Sequence, residues 1–95
     1  MDKLDNLLIN NNLSISCIES CSSGKLANIL SSNSGSSKYF TGGIILYNDN
    51  IKSKILNIDI ELINKYSAVS KEICCLMVNK GKKIFDSDIC ISITG

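Results

Sequence analysis

The stretch Ser14–Lys25, S-I-S-C-I-E-S-C-S-S-G-K, constrains the fold more than any other part of this chain. Ser14–Glu19 alternates Ile15 and Cys17 with polar neighbours while Ile18 adds bulk, the pattern of a buried strand. Small polar residues follow. Gly24–Ser32 then places Leu26, Ala27, Ile29 and Leu30 on one face of a helix, with Ser22 or Ser23 as its N-cap. A strand that turns directly into a helix is the opening unit of an open α/β sheet, which puts its chemistry at the carboxyl ends of its strands. Glu19, Ser20, Cys21, Ser22, Ser23 and Gly24 all fall there.

The rest of the chain continues the alternation. Leu4, Leu7 and Leu8 stand at helical spacing over residues 2–11, and Asn10–Asn12 ends that helix. Ser31–Ser37 is a loop of small polar residues. Tyr39–Tyr47 reads as a strand in which Gly42-Gly43 signals a bulge or the close approach of another backbone or a ligand. Asn48-Asp49-Asn50 opens a helix through Leu56 with Ile51, Ile55 and Leu56 inward, and Asp59 caps a further short turn of helix. Ser70 caps a helix from Lys71 to about Phe85 that buries Ile73, Leu76, Met77, the Lys80 stem and Ile84. Ile89–Thr94 is the last strand. The alternation of helices and strands predicts one α/β domain over residues 1–95, a three-layer α-β-α sheet. Ending on Thr94-Gly95, it reads as truncated after its third strand and therefore incomplete.

Composition bounds the function. Of 95 residues, 44% are hydrophobic and 20% charged, a globular balance. Ten lysines against nine acids give a net charge of +1 with no basic stripe, so no nucleic-acid partner is expected. Lys80–Lys83 reads as the solvated end of a helix. No apolar run approaches the roughly 18 residues of a membrane-spanning helix. The N-terminus lacks a signal-peptide apolar region, and the 5 cysteines form no CxxC pair. Free thiols in a reducing cytoplasm are the expectation, with no metal site.

The sequence contains no histidine, so any hydrolytic mechanism must use lysine or a carboxylate as its base. S-C-S-S-G-K departs from a nucleotide-phosphate loop, because Glu19 replaces the first glycine and Leu26 the hydroxyl that would hold Mg²⁺. What survives is a Gly/Ser turn at a helix N-terminus that offers N–H groups to an anion. Ser20 stands where a hydroxyl is held out on a sharp strand-to-helix turn. A neutral, desolvated lysine could activate it, and Lys25, Lys52 and Lys54 are the candidates. Lys52 falls beside the active end of the sheet, Lys54 outward, and Lys25 toward solvent. Cys21 is a rival nucleophile. On pattern alone, a capping serine and a surface lysine account for the same residues.

The blocks I-E-S-C-S-S-G-K-L-A, S-G-S-S-K-Y-F-T-G-G-I-I-L-Y-N-D-N-I-K, Y-S-A-V-S-K-E and I-S-I-T-G carry a more specific signal. In that order and spacing they resemble the CinA C-terminal domain family, from about Leu13 to Gly95. The family's blocks read A-E-S-C-T-G-G, G-S-S-x-x-F-x-G-G-x-x-x-Y-S-N-x-x-K and G-A-V-S-x-E. Its active members are nicotinamide-nucleotide amidohydrolases.

The resemblance implies a Ser/Lys hydrolase that converts nicotinamide mononucleotide to nicotinate mononucleotide and ammonia, without cofactor. Ser20 would be the nucleophile and Lys52 its base. Ser22, Ser23, Gly24, Gly43, Tyr47, Thr94 and Gly95 would bind substrate, with N–H groups of the Ser22–Gly24 turn holding an oxyanion or the phosphate. The implied partners are a small-molecule nucleotide and, at most, further copies of the chain, with neither nucleic acid nor membrane. Three departures qualify this. Ser23 replaces the family's first glycine and Ser22 its threonine. Asn48-Asp49 replaces Ser-Asn. The family continues beyond T-G with I-A-G-P-x-G-G, further strands and a basic site residue. The alternative reading is a non-catalytic remnant or a small interaction domain of the same family.

Overall fold

The computed structural model describes residues 2–95. Helix α1 (Asp2–Asn10) leads into strand β1 (Ile15–Glu19), and α2 (Lys25–Leu30) and a 3-10 turn at Ser36–Lys38 precede β2 (Phe40–Ile45). Helices α3 (Asp49–Leu56), α4 (Ile60–Tyr66) and α5 (Lys71–Phe85) then lead to β3 (Ile89–Ile93). The three strands form one parallel sheet in the order β2-β1-β3.

β1 lies in the middle and is buried along its whole length, so its two faces serve two cores. Successive side chains of a strand point to opposite faces. Ile15 and Cys17 pack with Leu8, Leu30 and Tyr39 beneath α1 and α2. Ile18 packs with Leu46, Leu56, Ile58, Ile63, Ile73 and Met77 beneath α3, α4 and α5. The result is the expected three-layer α/β sandwich.

The paired glycines of β2 mark a close approach, and a bulge lies just before them. Ile15 pairs with Phe40 but Ser16 with Gly42, so Thr41 is the extra residue. A Cβ at Gly42 (φ 153°) would come to 2.9 Å from the Phe85 ring, and one at Gly43 to 2.6 Å from Cys17 Sγ. The N-caps of the next three helices follow local chemistry. Asn48 accepts from Ile51 N, Asp59 from Glu61 N and Ser70 from Ile73 N.

Four expectations need correction. β2 ends at Ile45, and Leu46 and Tyr47 belong to the loop that follows. The N-cap of α2 is Gly24, with φ 93° and no side chain to offer, rather than Ser22 or Ser23. Ile51 and Ile55 are 39% and 47% exposed, and it is Lys52 and Leu56 that α3 turns inward. Ile84 is also exposed, because α5 ends on Phe85 packing against the core instead. Among the described residues no helix is long and apolar enough to cross a membrane.

Candidate active site

The chain leaves β1 toward β2 on one side and later returns to place β3 on the other. The strand order therefore reverses between β1 and β3, and the carboxyl ends of those strands flank the crevice where such sheets bind ligands. Glu19 pairs with Ile93, so Ser20 and Thr94 emerge side by side from strands about 4.8 Å apart.

Alternation along β1 decides which way each residue faces. Glu19 shares the α2 side with Ile15 and Cys17, Ile18 faces the α3–α5 side, and Ser20 opens the turn one residue beyond the strand. Ser20 is 3% exposed, and its hydroxyl takes part in no hydrogen bond among the described residues. No fully buried side-chain oxygen among the described residues lacks a partner, so this one still reaches solvent.

Lys52 belongs to α3, which packs on the Ile18 side of the sheet. It is 2% exposed, an unusual fate for a lysine. Its Nζ donates to Thr94 Oγ1 at 3.2 Å, and Thr94 Oγ1 in turn donates to the Ala68 carbonyl at 2.6 Å. The lysine is thus held by a hydroxyl at the end of β3, beside the strand end that carries Ser20. Its bonded partner is Thr94 and not Ser20. The Ser20 hydroxyl and the buried Lys52 amine thus belong to the ends of neighbouring strands, the amine through its bond to Thr94.

Glu19 is wholly buried and accepts hydrogen bonds from Leu26 N (2.9 Å), Ala27 N (2.8 Å) and the Ser22 hydroxyl (2.7 Å). Burial works against its charge. The amides of Ala27 and Leu26, with the Ser22 hydroxyl, outweigh that penalty and hold the carboxyl below its ordinary value. Glu19 does the work of the N-cap side chain that Gly24 lacks. The expectation of free N–H groups at this helix start is corrected in part: Glu19 takes those of Leu26 and Ala27, Ser22 O takes that of Lys25 and Ser20 O takes that of Ser23, which leaves the N–H groups of Ser22 and Gly24 in the turn without a partner among the described residues. Beneath it, burial and the Glu19 carboxylate push the Cys17 thiol up to about 12, so it stays protonated and donates to Glu19. Cys21 is exposed on the turn.

The remaining expected site residues separate. Thr94 joins Lys52, and a Cβ at Gly95 would touch Cys21 Sγ at 3.1 Å, so the end of the chain lies against the Ser20 turn. Tyr47 is 72% exposed between β2 and α3. Ser22 is turned to Glu19. Ser23 and Gly24 line a cleft of about 360 Å³ with Lys25, Asn28 and Ile29, which includes neither Ser20 nor Lys52. Gly43 packs toward Cys17 and Ala27, filling space between β1 and α2. The roles of Glu19 and Ala68 escaped sequence reasoning. For Glu19 the available signal was an acid at a strand end followed by a helix whose capping position is glycine. Ala68 contributes only a carbonyl and left none.

These features define a doubly wound α/β domain with a serine and a buried lysine at its topological switch point. Comparison with known proteins makes the assignment specific. The family model of the CinA C-terminal domain matches residues 1–95, and the chain belongs to that family. A CinA-like protein of Flavobacterium psychrophilum is 41% identical over 92 residues, covering 97% of this chain and 22% of that protein. A CinA-like protein of Prochlorococcus marinus strain AS9601 is 41% identical over 88 residues, covering 93% of this chain and 21% of its own length. Among solved structures, a competence-damaged protein (CinA) superfamily member from Escherichia coli superposes with a TM-score of 0.93 at 33% identity, over 98% of this chain and 54% of that one. A competence or damage-inducible protein from Enterobacter asburiae superposes with a TM-score of 0.95 at 29% identity, over 99% and 59%. The chain thus spans about a fifth of those two curated relatives and little more than half of those two solved chains.

Proposed function

We propose that this chain carries the nucleophile and base of a serine–lysine amidohydrolase acting on the carboxamide of nicotinamide mononucleotide. The observation that carries the reading is the burial of Lys52 against Thr94 at the switch point, one strand from Ser20. Family membership and the block resemblance supply the substrate class.

In this mechanism Lys52, as the free amine, takes the Ser20 proton while Ser20 Oγ bonds to the carboxamide carbon and the carbonyl π pair moves to oxygen. The tetrahedral intermediate collapses, the C–N bond breaks and the proton returns from Lys52 to the departing nitrogen, which leaves as ammonia. A water molecule then attacks the nicotinoyl ester, Lys52 again taking the proton, and nicotinate mononucleotide leaves as Ser20 is restored. The pairing Lys52–Thr94 holds the amine between these transfers.

The test is ammonia release from nicotinamide mononucleotide by the purified chain. Turnover should fall by about a thousandfold or more in both Ser20→Ala and Lys52→Ala, as for loss of an activated nucleophile or its base. Turnover that survives both substitutions would sink the reading. Because the chain spans 54–59% of those two solved relatives, a second reading stands beside it, a family member without catalysis. Folded chain that releases no ammonia at high protein concentration would favour that second reading.

A further inference from the structure

We infer that Glu19 is the positioning residue of the Ser20 turn, a buried carboxylate that ties the turn to the strand before it and the helix after it. The inference rests on the reading of Ser20 as nucleophile. The turn has little to hold it by itself. Within it the backbone bonds Ser23 N to Ser20 O and Lys25 N to Ser22 O, each 3.1 Å, and Gly24 O accepts from Asn28 N of α2 at 2.9 Å. Two consecutive residues, Ser23 and Gly24, have left-handed backbones with φ 53° and 93°, and only the second is a glycine. Helix α2 has 6 residues and a capping residue without a side chain, so it cannot anchor the turn unaided.

Glu19 supplies what is missing. One carboxylate oxygen accepts from the Ser22 hydroxyl and Leu26 N, and the other from Ala27 N. Both the middle of the turn and the first turn of α2 are thereby fastened to the residue that precedes Ser20 in the chain. Glu19 faces the α2 side of the sheet while Lys52 and Thr94 lie on the other. Its oxygens are committed to Ser22, Leu26, Ala27 and the Cys17 thiol. It acts through the placement of Ser20, not through proton transfer.

The experiment compares Glu19→Gln with the unsubstituted chain by amide hydrogen exchange and, on nicotinamide mononucleotide, by kcat and KM. Glutamine keeps the shape but turns one oxygen into a donor, which faces the N–H of Leu26 or of Ala27 without bonding. Exchange at Leu26 and Ala27 should rise by about tenfold or more, the scale of a lost charge-assisted hydrogen bond. The deciding amide is Ser23, which bonds to Ser20 O. Exchange there should rise about tenfold as well, and kcat should fall by up to about a hundredfold with KM within about threefold, since misplacement by about 1 Å costs on that order. Faster exchange confined to Leu26 and Ala27, with Ser23 and kcat unchanged, would make Glu19 a helix cap only and overturn the inference. If Glu19→Gln does not fold, Ser22→Ala removes one tie of the three. Exchange at Ser23 should then rise by about threefold or more, and an unchanged rate overturns the inference equally. If the unsubstituted chain releases no ammonia, the amidohydrolase reading fails while the Ser23 amide still decides the role of Glu19.

Discussion

The two ends of β1 are both built from polar side chains, yet they are built differently. At the amino end, Ser14 N donates to Asp88 Oδ2 at 2.8 Å, Asp88 N returns a bond to Ser14 Oγ at 2.9 Å, and the buried Ser16 and Ser87 hydroxyls share a bond of 2.7 Å. The buried groups are neutral and pair with each other, while Asp88 remains exposed. At the carboxyl end, a carboxylate and a lysine are buried on opposite faces of the sheet, each satisfied by neutral groups rather than by the other. Between them stands Ser20, whose hydroxyl has no hydrogen-bond partner among the described residues. A latch of hydroxyls contributes to stability at little desolvation cost. Burying two ionisable groups apart from each other is costly, and apolar side chains of similar size would serve stability better. The carboxyl end is therefore shaped by something other than stability, and it coincides with the switch point of the sheet.

Lys52 is the sharpest way to break this contrast. Lys52→Met keeps the length and apolar stem of the side chain, and Thr94 keeps its bond to the Ala68 carbonyl. If the lysine is retained for chemistry, the variant should abolish turnover and yet melt higher. A gain of about 1 kcal/mol would raise Tm by roughly 4–8 °C in a domain of this size. Thermal unfolding followed by circular dichroism reads the second effect. A Tm lowered by several degrees would show that the amine serves the fold.

Acid should separate the two ends next. Glu19 is held below its ordinary value in the folded chain and returns to about 4.3 on unfolding. Between those values the unfolded chain binds more protons, so stability falls as pH falls. The contribution of Glu19 is complete above the unfolded value and is lost as pH drops through the folded one. The Ser16 and Ser87 hydroxyls do not titrate there. Urea unfolding from pH 7 to 3 should show the unsubstituted chain losing stability below about pH 4.5. Glu19→Gln should begin about 1–3 kcal/mol lower and decline less steeply. Parallel curves would remove Glu19 from the acid response.

Much of this was legible before the structure. The strand–turn–helix around Ser20 and the caps Asn48, Asp59 and Ser70 follow from short-range chemistry, and each is where the pattern puts it, while the bulge of β2 falls at Thr41, just before the paired glycines. The phase of α3 was not legible. Ile51 and Ile55 form one i, i+4 pair and Lys52 and Leu56 another, and hydrophobicity favours the first. The choice is made by Thr94, 42 residues away in sequence, which receives the lysine amine. The cap of α2 was hidden for a related reason. Local rules look for an oxygen about three residues ahead of the amide it serves, and Glu19 lies 7 and 8 residues ahead. A strand end and a helix start must first be brought together before that bond exists.

The amino end gives a smaller effect with a distinctive signature. Ser16→Ala leaves the Ser87 hydroxyl buried and without its partner, a cost of about 1–3 kcal/mol. Ser87→Ala should cost less, since Ser16 Oγ retains the Ile89 carbonyl at 3.5 Å. The double variant should recover much of the loss, because removing both partners leaves nothing unpaired. Denaturant unfolding of the four proteins measures the coupling, and turnover should stay the same in all of them. A change in kcat would mean that the two ends of β1 communicate.

Ser23 carries the smallest effect and returns the comparison to the carboxyl end. It is the non-glycine residue of the turn held at positive φ, 53°, in the position where the resemblance places a family glycine. An L-residue in that region is strained by about 1–2 kcal/mol. Glycine relieves the strain but loses about 0.5–1 kcal/mol more backbone entropy on folding. Ser23→Gly should therefore stabilise the chain by about 0.5–1 kcal/mol, a few degrees in Tm. The neighbouring change Ser22→Gly should act in the opposite direction, because the Ser22 hydroxyl bonds to Glu19 at 2.7 Å. If both changes destabilise, the Ser23 side chain contributes more to the turn than its backbone costs. Opposite signs one residue apart would show that the turn is held through Ser22 and Glu19, with Ser23 the part of it that this chain carries under strain.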